Sequence, residues 1–293
     1  MKRTRKLLER TIVRPGRKIS LEDYKTDWTL DLPKEEAAEA LVAGVEKLAA
    51  QQDILYAADT YAILLIFQAM DAAGKDGTIK HVMSGINPQG CQVYSFKAPS
   101  TEERQHGYLW RSVKALPERG RIGIHNRSYY EEVLVVRIHP ELLEAEQLPD
   151  EYRTKDVWHD RYRQINQFER YLVETGTVPI KFFLHVSKEE QKRRFLERID
   201  HPDKNWKFSA GDVTERALWD RYMDAYEDVF SNTSTKHAPW YIIPADNKWF
   251  MRLAVADIIH HRIKQLKLRY PSITSAHKRE LLKARKLLLE ERR

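Results

Sequence analysis

From Ala69 to Thr78 the chain reads Ala-Met-Asp-Ala-Ala-Gly-Lys-Asp-Gly-Thr, small residues around one lysine and two carboxylates. Side chains this small let backbone N–H groups approach an anion, and a helix beginning near Lys75 adds the partial positive charge of its N-terminus. Ala73, Gly74, Lys75, Asp76 and Gly77 are therefore candidate phosphate-binding positions, with Lys75 as a point charge for the outer phosphates. The pattern approaches the P-loop spacing G-x-x-x-x-G-K-S/T but departs from it twice. Ala69 replaces the first glycine, and Asp76 stands where a magnesium-binding hydroxyl is expected. A metal ligand must then come from elsewhere, and Asp71 is the natural one. A strand-to-helix turn that merely needs small residues is the alternative.

Two further groups could join this loop. Asn126-Arg127-Ser128-Tyr129-Tyr130 follows a short apolar run. At a strand's carboxyl end, Asn126 offers a neutral oxygen to a metal and Arg127 can take phosphate oxygens bidentately. Arg127 could equally pair with Glu131 or Glu132, and Asn126 could cap a helix starting at Ser128. Arg137 follows Val-Leu-Val-Val and is as readily structural as phosphate-binding. Farther along stand Lys192, Arg193, Arg194 and Arg198, with Lys204 and Lys207 in the next loop. Arg194 and Arg198 share a helical face. Such a run is usually a solvated face; here it completes a loop, strand end and lid, the layout of P-loop kinases.

The elements that must hold these groups follow from apolar spacing. Tyr61–Ala69 is a continuous apolar run and reads as a buried parallel strand. Shorter runs at 92–96, 122–125, 180–186 and 240–243 read as four more strands. Helical patterns cover 34–51, 102–116, 129–136, 158–175, 188–199 and 213–231. Strands alternating with helices predict an α/β, three-layer domain on a parallel five-stranded sheet. The expected organisation is an extended N-terminal arm over 1–33, with a turn at Pro15-Gly16 and Ser20 as a cap. A P-loop kinase domain over 34–265 follows, with a helical lid at about 188–231, and then a basic C-terminal helix over 266–293. Residues 200–211, taken by composition, read as a surface loop between helices rather than a lid tip.

Composition narrows the chemistry. One cysteine, Cys91, among 293 residues excludes a disulfide framework and a cysteine-based zinc cluster. No apolar run approaches the ~18 residues of a membrane span, and the first residues lack the apolar stretch of a secretion signal. The expectation is a cytoplasmic protein. Lys+Arg 50 against Asp+Glu 43 leaves +7, with an isoelectric point near 9.2. The excess sits at the ends: residues 1–18 carry eight basic residues and one acid, and residues 262–293 carry eleven against three. Such charge suits polyanionic partners without choosing among nucleic acid, phosphate chains and nucleotides. Solvated faces or oligomer contacts explain either terminus equally well.

In combination, Met70-Asp-Ala-Ala-Gly-Lys-Asp-Gly, Asn126-Arg-Ser-Tyr-Tyr-Glu and Lys204-Asn-Trp-Lys resemble the type-2 polyphosphate kinase family. The stretches at 87–90, 95–103, 116–124 and 238–249 agree, so the resemblance covers about residues 10–265. It implies a P-loop kinase fold with a helical lid. It also implies Mg2+-dependent (or Mn2+-dependent), reversible transfer of the terminal phosphoryl group of inorganic polyphosphate to AMP or ADP, towards ATP. Family metal positions fall on Asp71 and Asn126, and the phosphate-binding lysine and arginine on Lys75 and Arg127. The lid cations fall on Arg193, Arg194, Arg198, Lys204 and Lys207. Asn126 departs from the Asp of most subgroups. With Glu131 and Glu132 as acceptor-site candidates, it resembles the subgroup taking both mono- and diphosphates. The expected partners are polyphosphate and adenine nucleotides, in a homo-oligomer (dimer or tetramer), with neither membrane nor nucleic acid. An ATP-dependent nucleotide kinase and a non-enzymatic nucleic-acid binder are the competing classes.

Overall fold

The structure, a computed structural model, describes residues 2–291. Helix α1 (Lys2–Thr11) and the long helix α2 (Lys34–Ala58) precede strand β1 (Ala62–Gln68) and helix α3 (Lys75–Val82). Strand β2 (Cys91–Ser95), the short helices α4 (Thr101–Arg104) and α5 (Trp110–Lys114), and strand β3 (Ile122–Asn126) follow. Helices α6 (Val135–Ile138), α7 (Pro140–Glu144) and α8 (Val157–Glu174) lead to strand β4 (Thr177–His185). Then come α9 (Lys188–Asp200), α10 (Ala210–Ala217), α11 (Trp219–Thr233), strand β5 (Trp240–Pro244), α12 (Lys248–Gln265) and α13 (Ser275–Glu290).

The strands form one sheet in the order β2-β3-β1-β4-β5, every pairing parallel. Each residue of β1, β4 and β5 is buried, as continuous apolar strands covered on both faces must be. The chain extends the sheet from β1 to one side with β2 and β3, then to the other with β4 and β5. The carboxyl end of β1 therefore opens on the crevice where the strand order reverses, the usual ligand position in such sheets.

Several local expectations are corrected. The N-terminal arm is not extended at its start. Helix α1 buries Leu7, and Arg3 clamps Asp257 of α12 at 2.9 Å. Ser20 heads a short turn without capping it; the Leu21 N–H donates to Glu227 instead, at 2.6 Å. The expected helix over 102–116 is split between α4 and α5 around Gly107, and that over 213–231 breaks at Leu218 between α10 and α11. The basic C-terminal helix begins only at Ser275. Helix α12 had no counterpart in the sequence reading. Ten of its residues are buried, so it is apolar on nearly all sides and shows no one-faced periodicity.

One buried charge pair ties the sheet to the helices beneath the site. Lys181 of β4 and Glu169 of α8 are both fully buried, 2.7 Å apart. Glu169 also accepts from the hydroxyls of Tyr129 and Tyr130, and Lys181 donates to the Tyr130 hydroxyl and the Thr233 carbonyl. Burial alone would drive the proton off Lys181; Glu169 opposes that shift. A charge taken out of water survives only with partners, and removing one member strands the other. Lys181→Met is expected to cost ~3–5 kcal/mol in urea unfolding, with much of the loss recovered in Lys181→Met/Glu169→Leu. A near-neutral single variant would show that the pair contributes little to the fold.

Candidate functional site

The loop after β1 and the start of α3 form the floor of a cleft of about 840 Å3, lined by nine basic and five acidic side chains. Ala72 and Gly74 hold left-handed backbone, φ 59° and 108°. A Cβ on Gly74 would come within 3.2 Å of the Met251 methyl, so glycine serves both the turn and the close approach. The first intrahelical bond of α3 runs from the Thr78 N–H to the Gly74 carbonyl. The amides of Lys75, Asp76 and Gly77 thus remain free at a helix N-terminus, the arrangement that receives anions. Lys75 Nζ donates to the Ala69 carbonyl at 2.8 Å. Burial lowers its pKa, and Asp71 is the first of the groups opposing that shift.

Arginine 194 braces this loop from below. Its side chain is 3% exposed, and Nε meets Glu190 at 2.7 Å. One terminal nitrogen donates to the carbonyls of Ala72 and Ala73, the other to those of Ala245 and Asp246 just beyond β5. Gln191, three positions earlier on α9, donates to the Asp71 carbonyl at 3.0 Å. The sequence reading made Arg194 a phosphate-binding lid cation. The structure fills its donors with backbone, so it shapes the loop that meets the anion.

The second edge comes from β3. Asn126 Nδ2 donates to Asp76 Oδ1 at 2.6 Å and to Ser95 Oγ at 3.3 Å. It does not cap the following turn; Ser128 Oγ does, accepting from the Tyr130 N–H. Arg127 has left-handed backbone, φ 64°, and pairs with Asp71 at 3.2 Å and with Glu131 at 3.9 Å. Burial disfavours the Arg127 charge, but Glu131 and Asp71 more than offset it, so the guanidinium is held cationic above the loop. Glu131 accepts from Gln68 Nε2 at 2.9 Å and lies behind Arg127.

Lid residues close the other side. Arg198, Lys204 and Lys207 line the cleft with Trp206, on α9 and the turn Asn205–Lys207. Residues 200–211, expected as a plain surface loop, thus form part of the cleft wall. Arg198 faces Asp212 at 3.7 Å and Lys204 faces Glu197 at 2.6 Å.

Four expected residues do not line the cleft: Glu131, behind Arg127, and Arg137, Arg193 and Glu132. Arg137, on α6, donates to the Tyr162 hydroxyl of α8 and to Asp228 of α11 at 2.6 Å. Arg193 points outward and forks onto Glu190. Glu132 is buried between Arg111 and Arg161, each 3.7 Å away. Burial raises the Glu132 pKa while the arginines oppose it. Conversely, Lys248 and Arg252 line the cleft from α12 and were missed. Neither forms an ion pair within the hydrogen-bonding limit among the described residues, and burial lowers both pKa values. Their spacing of four placed both on one helical face, a signal lost because α12 itself was not recognised.

The fold, with a largely basic cleft at the carboxyl end of β1, is that of a P-loop kinase. The family model for polyphosphate kinase 2 matches residues 31–271, and the chain belongs to that family. An ADP-polyphosphate phosphotransferase of Rhodopseudomonas palustris is 57% identical over 258 residues, covering 88% of this chain and 89% of the relative. An AMP/ADP-polyphosphate phosphotransferase of Meiothermus ruber is 42% identical over 266 residues, covering 90% and 96%. The crystal structure of polyphosphate kinase 2 from Arthrobacter aurescens superposes with a TM-score of 0.83 at 39% identity, covering 92% of this chain and 94% of that one.

The brace makes a direct expectation. In Arg194→Lys one ammonium replaces a fork that spans two loops. Unfolding stability should fall by ~1–3 kcal/mol, and affinity for tripolyphosphate, measured by calorimetry, by about tenfold. Lowered stability with unchanged affinity would reduce Arg194 to a structural tie alone.

Proposed function

We infer that this protein moves the terminal phosphoryl group of inorganic polyphosphate to a nucleotide, with ADP and AMP as acceptors. The observation that carries the reading is the loop Met70–Gly77 with its free helix-start amides, set opposite Arg127 and a cationic lid, in a chain of the polyphosphate kinase 2 family. ADP is supported by the names of both relatives, and AMP by that from Meiothermus ruber. No helix among the described residues is long and apolar enough to cross a membrane, and a cytoplasmic setting, where nucleotides are available, belongs to the same reading.

Phosphoryl transfer passes through a loose transition state in which positioning and charge supply most of the catalysis. Lys75 and the first amides of α3 hold the phosphates at the transfer point. Arg127 neutralises charge on the transferred group, and Asp71 keeps Arg127 aimed across the loop. The acceptor phosphate is already an anion, so no strong general base is required. Arg198, Lys204 and Lys207 cover the site and keep out water that would hydrolyse the transferred group. Asp71, Asp76 and Asn126 present hard oxygen donors at the cleft, which fits Mg2+ or Mn2+. No cluster of three acids, histidines or cysteines exists among the described residues, so substrate phosphates would complete the coordination. The metal would supply charge neutralisation between donor and acceptor phosphates.

Purified protein given polyphosphate with ADP, without added ATP, should form ATP, and Lys75→Ala should lower the rate by ~10²–10³ with an unchanged circular dichroism spectrum. Activity within about threefold of the unaltered protein would remove Lys75 from the reaction. Replacing Lys204 and Lys207 together should raise the KM for polyphosphate far more than that for nucleotide and flatten its salt dependence. Asn126→Asp tests acceptor choice. The ratio of kcat/KM for AMP to that for ADP should fall by about tenfold, ~1.4 kcal/mol. An unchanged ratio would dissociate Asn126 from acceptor choice.

A further inference from the structure

We propose that helix α13 of one copy docks on the outer face of helix α2 of a second copy, so that two chains exchange their C-terminal helices. Every residue of α13 is exposed, including Leu281, Leu282, Leu288 and Leu289 at 48–69%. A lone helix of this length is marginal in water, and most helical stability in proteins comes from packing an apolar face. The helix also lies beyond residue 271, where the family match ends, so the shared catalytic fold does not account for it.

Its chemistry points to α2. Over α13 five basic residues stand against two acids; over α2 five acids stand against two basic residues. Leu281, Ala284 and Leu288 follow one another at heptad spacing, with Leu282 and Leu289 beside them and Arg279, Lys283 and Lys286 along the flank. On α2 the row facing away from the core carries Glu35, Glu39, Glu46 and Asp53, with Val42 and Tyr56 along its edge, 61% and 51% exposed. None of these four carboxylates forms an ion pair among the described residues, and Arg279 and Lys283 form none either. Docking therefore buries leucines against Val42 and Tyr56 while giving both rows of charge a partner. An acidic partner surface also explains why the apolar face is flanked by cations, which pairing of two α13 helices would set against each other. Each copy carries one helix and one acceptor face, so the contact forms twice about one two-fold axis and closes.

Sedimentation equilibrium of the full chain tests this, with polyphosphate-dependent activity per protomer as the control for folding. Leu281→Glu/Leu288→Glu is expected to halve the assembly mass, and Glu39→Lys/Glu46→Lys to do the same. Adding Lys283→Glu/Lys286→Glu to the α2 variant should restore the mass, because the charges are then exchanged between faces. A monomeric unaltered chain overturns the proposal, since α13 would then be free or folded on its own copy. So does a mass unaffected by either pair, or a loss that charge exchange fails to rescue. Leucine-dependent binding to anionic phospholipid vesicles without any change of mass would assign the helix to membranes and overturn it equally.

Discussion

A single buried guanidinium holds the site in shape. Placing Arg194 at 3% exposure is tolerable only because each nitrogen has a partner: Glu190 on its own helix and four carbonyls from two separate strand-end loops. Those carbonyls belong to loops that regular structure leaves unpaired. The brace therefore satisfies backbone that must be irregular to receive phosphate. Left-handed backbone at Ala72 and Arg127 is costly for residues with a Cβ, and it persists only where surroundings over-determine it. Arg194 and Gln191 supply that constraint at Ala72 from α9, which also begins the lid; at Arg127 the Phe67 carbonyl, Asp71 and Glu131 supply it. The helix that begins the lid is thus bolted to the loop after β1.

A cleft with nine basic side chains would repel itself if its charges stood alone. Instead, several cations already have acids within the cleft: Arg127 with Asp71, Lys204 with Glu197, Arg198 with Asp212. Under the proposed function, a phosphate chain would exchange protein carboxylates for phosphate oxygens rather than fill an empty positive hole. Ion pairs that solvent still reaches, as it reaches these, are weak, ~0–1 kcal/mol when fully exposed, so a polyanion carrying many charges can displace the carboxylates. Lys248 and Arg252 are different. Neither forms an ion pair among the described residues, and burial lowers both pKa values.

Much of this was legible in the sequence, because the strongest signals are local. A continuous apolar run followed by small residues and a lysine specifies strand, loop and helix within seventeen residues, Ala62–Thr78. All five strands fell where apolar runs placed them. What the sequence concealed was partnership. Arg194 and Arg198 differ by one helical turn, yet one faces backbone and the other the cleft. Arg137 and Glu132 look like site residues until Asp228 and Arg161 are seen beside them. Helix α12 escaped for the opposite reason: burial on almost every side erases the polar stripe by which helices are recognised, and its two cleft cations were lost with it.

Asn126 shows how a single atom type sets what the mouth of the cleft requires. Its amide nitrogen reaches from the end of β3 to the carboxylate of Asp76 on α3, 2.6 Å away. This hydrogen bond latches the two edges of the site with no cation involved. A carboxylate at 126 could not donate, and it would confront Asp76 as a like charge at contact distance. Two such groups share a proton, one of them held neutral, unless a cation lies between them. An aspartate here would therefore make the mouth depend on a bound proton or cation. The amide needs no such cation: it donates to Asp76 and adds no charge beside the pair of Asp71 with Arg127.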